Sequence, residues 1–242
     1  MLNKNKSLLL KKLTSENEEF ATLIHDLQED YQYQIAQIVH EISNPLTLIN
    51  SSIQFIQSHH PEVNNFQFWP NIQEDIHYLR LLLTNLSTFN NSDKVHLKKL
   101  YLEEILTSLR ASIDSYTLNS SKKLIIQCSN TPQPIIGDAI KLRQLLINII
   151  KNAFEALQDT GTVTISISYS KTHLILSIID TGVGMNEEQL KNIYTPFVTT
   201  KSNGSGLGLC ITKNIIDSHN GTIKVSSHEN CGTTFEIMLP LC

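Results

Sequence analysis

No apolar run in this chain approaches the roughly 18 residues that a bilayer-spanning helix needs, and its opening, MLNKNKSLLLKKL, is broken by lysines too often for a signal peptide. No membrane span and a cytoplasmic location are therefore expected. Paired cysteines are lacking as well. Cys128, Cys210, Cys231 and Cys242 lie far apart and form no CxxC, which argues against a zinc site or a disulfide framework and leaves free thiols. Nor is there an excess of basic residues. Against 19 lysines and arginines stand 23 acidic residues, so the footprint of a nucleic-acid or anionic-membrane binder is absent and no nucleic-acid partner is expected.

What is present suffices for two modest domains, each with its own core. The organisation changes near residues 90 to 95. Before it, Phe20, Ile24, Leu27, Tyr31, Ile35, Ile38, Ile42, Leu46, Ile49, Ile53 and Ile56 step by three or four, which predicts one long helix with one buried stripe. A second helix carries Trp69, Ile72, Ile76, Leu79, Leu83 and Leu86 on one face, and Pro70 suits its first turn. The intervening SHHPEVNNFQF folds the pair back as an antiparallel hairpin. Two helices alone bury little, so a homodimer with a four-helix bundle is expected.

From about Val95 strands and helices mix. A helix is predicted through Leu102 to Ile113, a strand at Leu124 to Cys128, and a helix from Ile140 to Leu157. VTISISY alternates with period two, LILSIID reads as a buried strand, and TIKVSS and TTFEIML follow; Thr160-Gly161 and Asn220-Gly221 read as turns. The expectation is an α/β sandwich.

HEISNPL, His40 to Leu46, sits midway along the first helix. At about 100° per residue His40 lies roughly 200° from Ile38 and Ile42, hence on the exposed face, with Asn44 and Thr47 beside it and Glu41 at its flank. An exposed imidazole next to a carboxylate suits a histidine nucleophile. Pro45 removes a helical hydrogen bond at the same place. Downstream, Asn148 and Asn152 are four apart on one helix face, and an amide oxygen is a hard ligand for Mg²⁺. Asp180 ends a strand and is followed by Gly182 and Gly184, a carboxylate that can accept from an exocyclic amine beside backbone that can approach a flat base. KSNGSGLGL puts Gly204, Gly206 and Gly208 just before a helix predicted over Leu207 to Ile216, whose N–H groups can hold phosphate, and Lys201 adds a cation. The segment is neither a Walker A loop nor a GxGxxG fingerprint.

In this order, HEISNPL, NIIKNAFEAL, DTGVGM, PFVTTK and GSGLGL resemble the H, N, first glycine, F and second glycine boxes of the sensor histidine kinases of two-component signalling. NCGTTFEIMLP is similar to that family's final strand. The resemblance covers about residues 20 to 242. It implies an α+β protein in which a dimerising antiparallel helical hairpin precedes a Bergerat-type α/β sandwich that binds ATP. The divisions it suggests are a leader at 1–19, the dimerisation and phosphotransfer hairpin at 20–92 and the catalytic ATP-binding domain at 93–242. It further implies that His40 accepts the γ-phosphoryl group, that Glu41 acts as its base or orienting partner, and that Asn44 positions water when the phosphorylated partner is dephosphorylated. Asn152 would ligate Mg²⁺ with Asn148 beside it. Asp180 would read the adenine amine, Gly182 and Gly184 would line the base, and Gly204, Gly206 and Gly208 would shape the lid over the phosphates.

The partner implied is the receiver domain of a response regulator. Glu155 stands where some members carry a basic residue, and Asn220 where a glycine often precedes Gly221. Residues 1 to about 20 are too few for a sensory domain, so input is expected from a separate sensor protein or from the leading helix. Two rival readings are a hydrolytic ATPase of the gyrase and heat-shock chaperone kind, which would place a glutamate where Asn148 lies, and a non-enzymatic phosphotransfer or scaffold protein.

Overall fold

The apolar step of three to four, interrupted by no breaker but Pro45, forms α1, Glu18–His59, about 63 Å long at 1.5 Å per residue. The helix continues through the proline. A 3-10 turn at Pro61–Asn65 leads to α2, Trp69–Asn90, with Pro70 in its first turn. The two helices run antiparallel: Gln73 Nε2–H donates to Gln57 Oε1 at 2.7 Å near the turn, and buried Asn90 Nδ2–H donates to Gln32 O at 2.6 Å at the open end. The structure, a computed structural model, describes residues 18–90, 95–117, 120–129, 131–201 and 204–242. Most of the expected leader, and the expected boundary at 92/93, lie outside the described residues.

The single buried stripe expected on α1 divides in two. Val39 and Leu46 are buried, as is Ile76 of α2, whereas Ile38, Ile42 and Ile49 are 52%, 49% and 50% exposed, and Leu27 and Tyr31 are exposed too. One neighbouring helix covers only a narrow arc, and the apolar arc of α1 is wider than that.

The second unit is an α/β sandwich. Its elements are β1 (Lys98–Leu100), α3 (Leu102–Asp114), β2 (Ser121–Cys128), β3 (Ile135–Gly137), α4 (Ala139–Ala156), β4 (Thr160–Tyr169), β5 (His173–Asp180), α5 (Glu187–Asn192), α6 (Gly208–Ser218), β6 (Thr222–Ser227) and β7 (Thr233–Pro240). Five strands make one sheet in the order β2-β4-β5-β7-β6, and β1 pairs separately with β3. Only β2 and β4 are parallel, the crossover between them running through α4. Alternation sends Val163, Ile165 and Ile167, Leu174, Leu176 and Ile178, and Phe235, Ile237 and Leu239 to the buried face. There they meet α3 (Leu102, Leu106, Leu109), α4 (Leu142, Leu146, Ile149) and α6 (Ile211, Ile215).

One expected turn is absent: Thr160 and Gly161 are the first residues of β4, paired with Ser121 and Lys122 of β2. The polar SKK start of β2 hides this pairing, because an edge strand needs no apolar alternation and lysine protects its free rim. The other turn is present. Asn220, at φ +53°, closes α6 with Gly221 N–H donating to Ile216 O at 2.9 Å, a left-handed cap for which asparagine is the usual substitute for glycine.

Both ends of α4 are anchored. At its N-terminus Asp138 caps Ile140 N–H and Lys141 N–H with Oδ1, at 2.9 and 3.2 Å, while Oδ2 accepts from His96 N–H at 2.8 Å. At its C-terminus Lys122 Nζ donates to Phe154 O and Leu157 O at 3.1 and 3.2 Å. His219, buried at the end of α6, ties the two helices together. Its Nε2 accepts Asp138 N–H at 2.8 Å, so its proton sits on Nδ1 and is donated to Ile215 O at 2.7 Å.

Burial lowers the His219 pKa below its ordinary value, Asp138 beside it notwithstanding. Its neutral form therefore stabilises the fold above about pH 6.5, the unfolded value, and that contribution is lost as pH falls through the depressed folded pKa. Urea unfolding should show the protein weakening between pH 7 and 5. His219→Ala should cost about 1–3 kcal/mol at pH 7, by stranding Asp138 N–H, and flatten that pH slope. An unchanged slope in the variant would contradict this role.

Candidate functional site

On α1, His40 is exposed, although Ile38 and Ile42, the residues expected to be buried from which the helical count measured it, are exposed as well. Asn44, one turn on, brings Nδ2 to 3.5 Å from His40 Nδ1. Glu41 is exposed and makes no bond to the ring among the described residues; adjacent residues diverge by about 100° on a helix, whereas i and i+4 share a face. The groove between α1 and α2 on this side is lined by Ser43, Thr47, Arg80 and Thr84. Arg80 makes no ion pair among the described residues.

In the second unit the predicted residues converge on α4 and the end of the sheet. Asn148, Asn152 and Ala156 follow at intervals of four, one above another on one face. Asn148 Nδ2–H donates to Gly208 O at 3.1 Å, which ties α4 to the second glycine segment. Ala156 O accepts Val183 N–H at 3.1 Å, which ties it to the first. Asn152, half-buried, sits midway between those anchors.

Asp180 is 3% exposed and takes the inward register that Leu174, Leu176 and Ile178 occupy before it. Its Oδ1 accepts Gly182 N–H at 2.8 Å and Thr233 N–H at 3.2 Å, while Oδ2 accepts from no donor among the described residues. Burial raises its pKa, and the two backbone donors pull it back in part. Gly184 has φ +64°, and a Cβ there would lie 2.0 Å from His228 O, so only glycine lets the loop pass.

Sequence reasoning overlooked two partners in this corner. Thr233 pairs with Asp180 across β5 and β7, and Ser227 pairs with Thr233 across β6 and β7, so three polar residues form one row on the buried face. The Ser227 hydroxyl accepts Met185 N–H and donates to Gly232 O, each at 2.9 Å, and lies 2.9 Å from Thr233 Oγ1. The signal was there in the alternation: Ser227 and Thr233 occupy registers that the pattern reserves for apolar side chains.

The three glycines of the second segment are not equivalent. Gly206, at φ +66°, places its carbonyl to accept Phe197 N–H at 3.1 Å, and a Cβ on it would meet Phe197 C at 2.6 Å. Gly208 has ordinary backbone, and a Cβ would meet nothing closer than Asn148 Cγ at 3.8 Å. Gly204 N–H donates to Lys201 O at 3.2 Å, and Lys201 is exposed. Leu207, at the N-cap position of α6, offers no side-chain cap bond.

Comparison with known proteins agrees with this geometry. A family described as histidine kinase-, DNA gyrase B-, and HSP90-like ATPase matches residues 137–242. Sporulation kinase C of Bacillus subtilis is 34% identical over 207 residues, which cover 85% of this chain and 48% of that protein. Sporulation kinase A of the same organism is 35% identical over 209 residues, 85% of this chain and 34% of its own length. The chain thus spans about half, or less, of the curated relatives it matches. Full-length ShkA, solved in complex with AMPPNP, shares the fold with a TM-score of 0.75 and 21% identity, over 86% of this chain and 46% of its own. The nucleotide-free catalytic domain of histidine kinase ThkA gives a TM-score of 0.55 and 29% identity over 60% of this chain and 97% of its own. The second unit thus carries the histidine kinase-type ATPase domain, and across both units the chain is homologous to the sensor histidine kinases of two-component signalling.

Proposed function

We propose that this protein is an ATP-dependent histidine kinase that phosphorylates its own His40 and passes the phosphoryl group to an aspartate on the receiver domain of a response regulator. The observation that carries the reading is the buried carboxylate of Asp180. A charge in that position is costly unless its remaining lone pairs find donors, and Oδ2 is the atom without one among the described residues. The exocyclic amine of adenine is a donor of the right kind, so the residues present fit an adenine nucleotide.

Asn152, between the two glycine segments, would hold Mg²⁺. Bound to a triphosphate, that ion supplies charge neutralisation at the β–γ bridge. The start of α6, with Gly206 fixing its approach, would favour the phosphates. Gly182 and Gly184 would line the base by letting the loop after β5 pack closely on the backbone of Ala156 and His228. On the hairpin, the Asn44 amide can turn its oxygen to Nδ1–H of His40, which leaves Nε2 with its lone pair outward for attack on phosphorus. As the Nε2–P bond forms, the bridging P–O bond breaks and its electron pair leaves with ADP. Glu41, exposed one residue on, would take the proton that the ring gives up once its side chain turns toward the imidazole. In the reverse sense, Asn44 would orient water during dephosphorylation of the partner.

A hydrolytic ATPase is disfavoured because Asn148, spent as a donor to Gly208 O, offers no general base. Homodimerisation is supported by the uncovered row Tyr31, Ile38, Ile42 and Ile49, a face that water would otherwise solvate. Arg80, beside the His40 face, suits the acidic site of a receiver domain. A cytoplasmic setting agrees with the lack, among the described residues, of any helix long and apolar enough to cross a membrane.

Incubation with labelled ATP and Mg²⁺ should yield an acid-labile, alkali-stable phosphoprotein that His40→Gln abolishes; label persisting in the variant would overturn the assignment. Asp180→Asn keeps an oxygen for Gly182 and Thr233 N–H but turns a donor toward adenine. It should weaken binding of a non-hydrolysable ATP analogue by roughly 10- to 150-fold, the equivalent of about 1.5–3 kcal/mol for a hydrogen bond to a charged group. Because the raised pKa makes the Asp180 charge a cost at neutral pH, the variant should unfold at the same or higher urea concentration. Unaltered affinity would refute the adenine role.

A further inference from the structure

Asn148 and Asn152 share a helix face and look like a matched pair, yet their surroundings differ. Asn148 Nδ2–H is committed to Gly208 O at 3.1 Å. The whole amide lies against that glycine: a Cβ on Gly208 would be 3.8 Å from Asn148 Cγ, 3.9 Å from Oδ1 and 4.0 Å from Nδ2. The same carbonyl also accepts the hydroxyl of Thr212, fully buried, at 2.9 Å. Gly208 opens α6, and the bond from Phe197 N–H to Gly206 O at 3.1 Å closes the neck of the segment just before it. Asn148 therefore fastens that neck to the middle of α4.

We infer that Asn148 is a positioning residue for α6, holding Gly208 so that the first turn of that helix faces the phosphates, and is not a ligand of the metal. The inference rests on the nucleotide reading above and assigns one of its residues a different task. The physical reason is the donor. A metal ligand offers an oxygen, and a carboxylate would serve as well or better. A latch to a carbonyl needs an N–H, and a carboxylate there would be repelled. The orientation of the first-turn N–H groups depends on where Gly208 is held, because the N-cap residue, Leu207, offers them no side-chain acceptor.

Asn148→Asp therefore separates the two roles, with Asn148→Ala as reference. In the nucleotide-free protein, amide hydrogen exchange over residues 208–212 should quicken at least about tenfold in both variants, as expected when about 1.4 kcal/mol of local restraint is lost. Binding of a non-hydrolysable ATP analogue should weaken by a similar factor in both, with the Mg²⁺ concentration needed for half-maximal binding unchanged; Asn152→Ala should raise that concentration. Exchange equal to wild type in both variants would overturn the inference. So would an aspartate variant that keeps or tightens Mg²⁺-dependent binding while the alanine variant loses it. Failure of the wild-type protein to bind the analogue would refute the nucleotide reading, and the exchange data would still decide whether Asn148 holds α6.

Discussion

The nucleotide corner of this protein depends on one buried carboxylate. Asp180 stands where the alternation of β5 calls for an aliphatic residue, 3% exposed and opposite Thr233. Several kcal/mol of desolvation are set against the fold at that point. Two backbone donors answer on Oδ1, and each comes from a different segment, Gly182 from the loop after β5 and Thr233 from the start of β7. Ser227 extends the row to β6 and catches Met185 N–H on the far side of the same loop. The loop is thus fixed along its length by polar groups that would have no reason to be buried in a purely structural sheet. Oδ2, which accepts from no donor among the described residues, is what the proposed adenine contact would use.

Around that corner, α4 acts as the common support. Asp138 and His219 secure its beginning, Lys122 its end, and the face carrying Asn148, Asn152 and Ala156 touches both glycine segments. Each anchor is an ordinary local device, namely an N-cap, a lysine on terminal carbonyls and a side-chain amide on a carbonyl, each worth about 1 kcal/mol or so on its own. Together they set the distance between the two glycine segments. His219 makes that arrangement sensitive to acid, since the ring must stay neutral to accept the Asp138 N–H.

Much of this was legible in the residues. The period-two strands β4, β5, β6 and β7 and the amphipathic helices α1 to α4 were placed within a few residues, because a strong hydrophobic period survives folding. The three-residue strands β1 and β3 and the six-residue α5 were too short to carry a period. Thr160-Gly161 misled because glycine at a strand start looks like a turn until its parallel neighbour is known. The stripe on α1 could not reveal that one chain covers only part of it. At the site, Asp180, Asn148 and the glycines were singled out from motif and type, whereas the bonds of Thr233 and Ser227 depend on register and that of Asn148 Nδ2–H to Gly208 O on how α4 meets α6, which no spacing displays.

In the proposed reaction the hairpin would supply an exposed imidazole on α1, and the sandwich a nucleotide site whose selectivity resides in Asp180. Calorimetric titration of the wild-type protein with ATP and with GTP, in Mg²⁺, asks the most direct question of that account. ATP offers an amine to Oδ2, and GTP offers a carbonyl oxygen that the carboxylate repels. The account predicts binding of ATP with GTP at least about tenfold weaker; equal affinity for the two, or none for ATP, would contradict it.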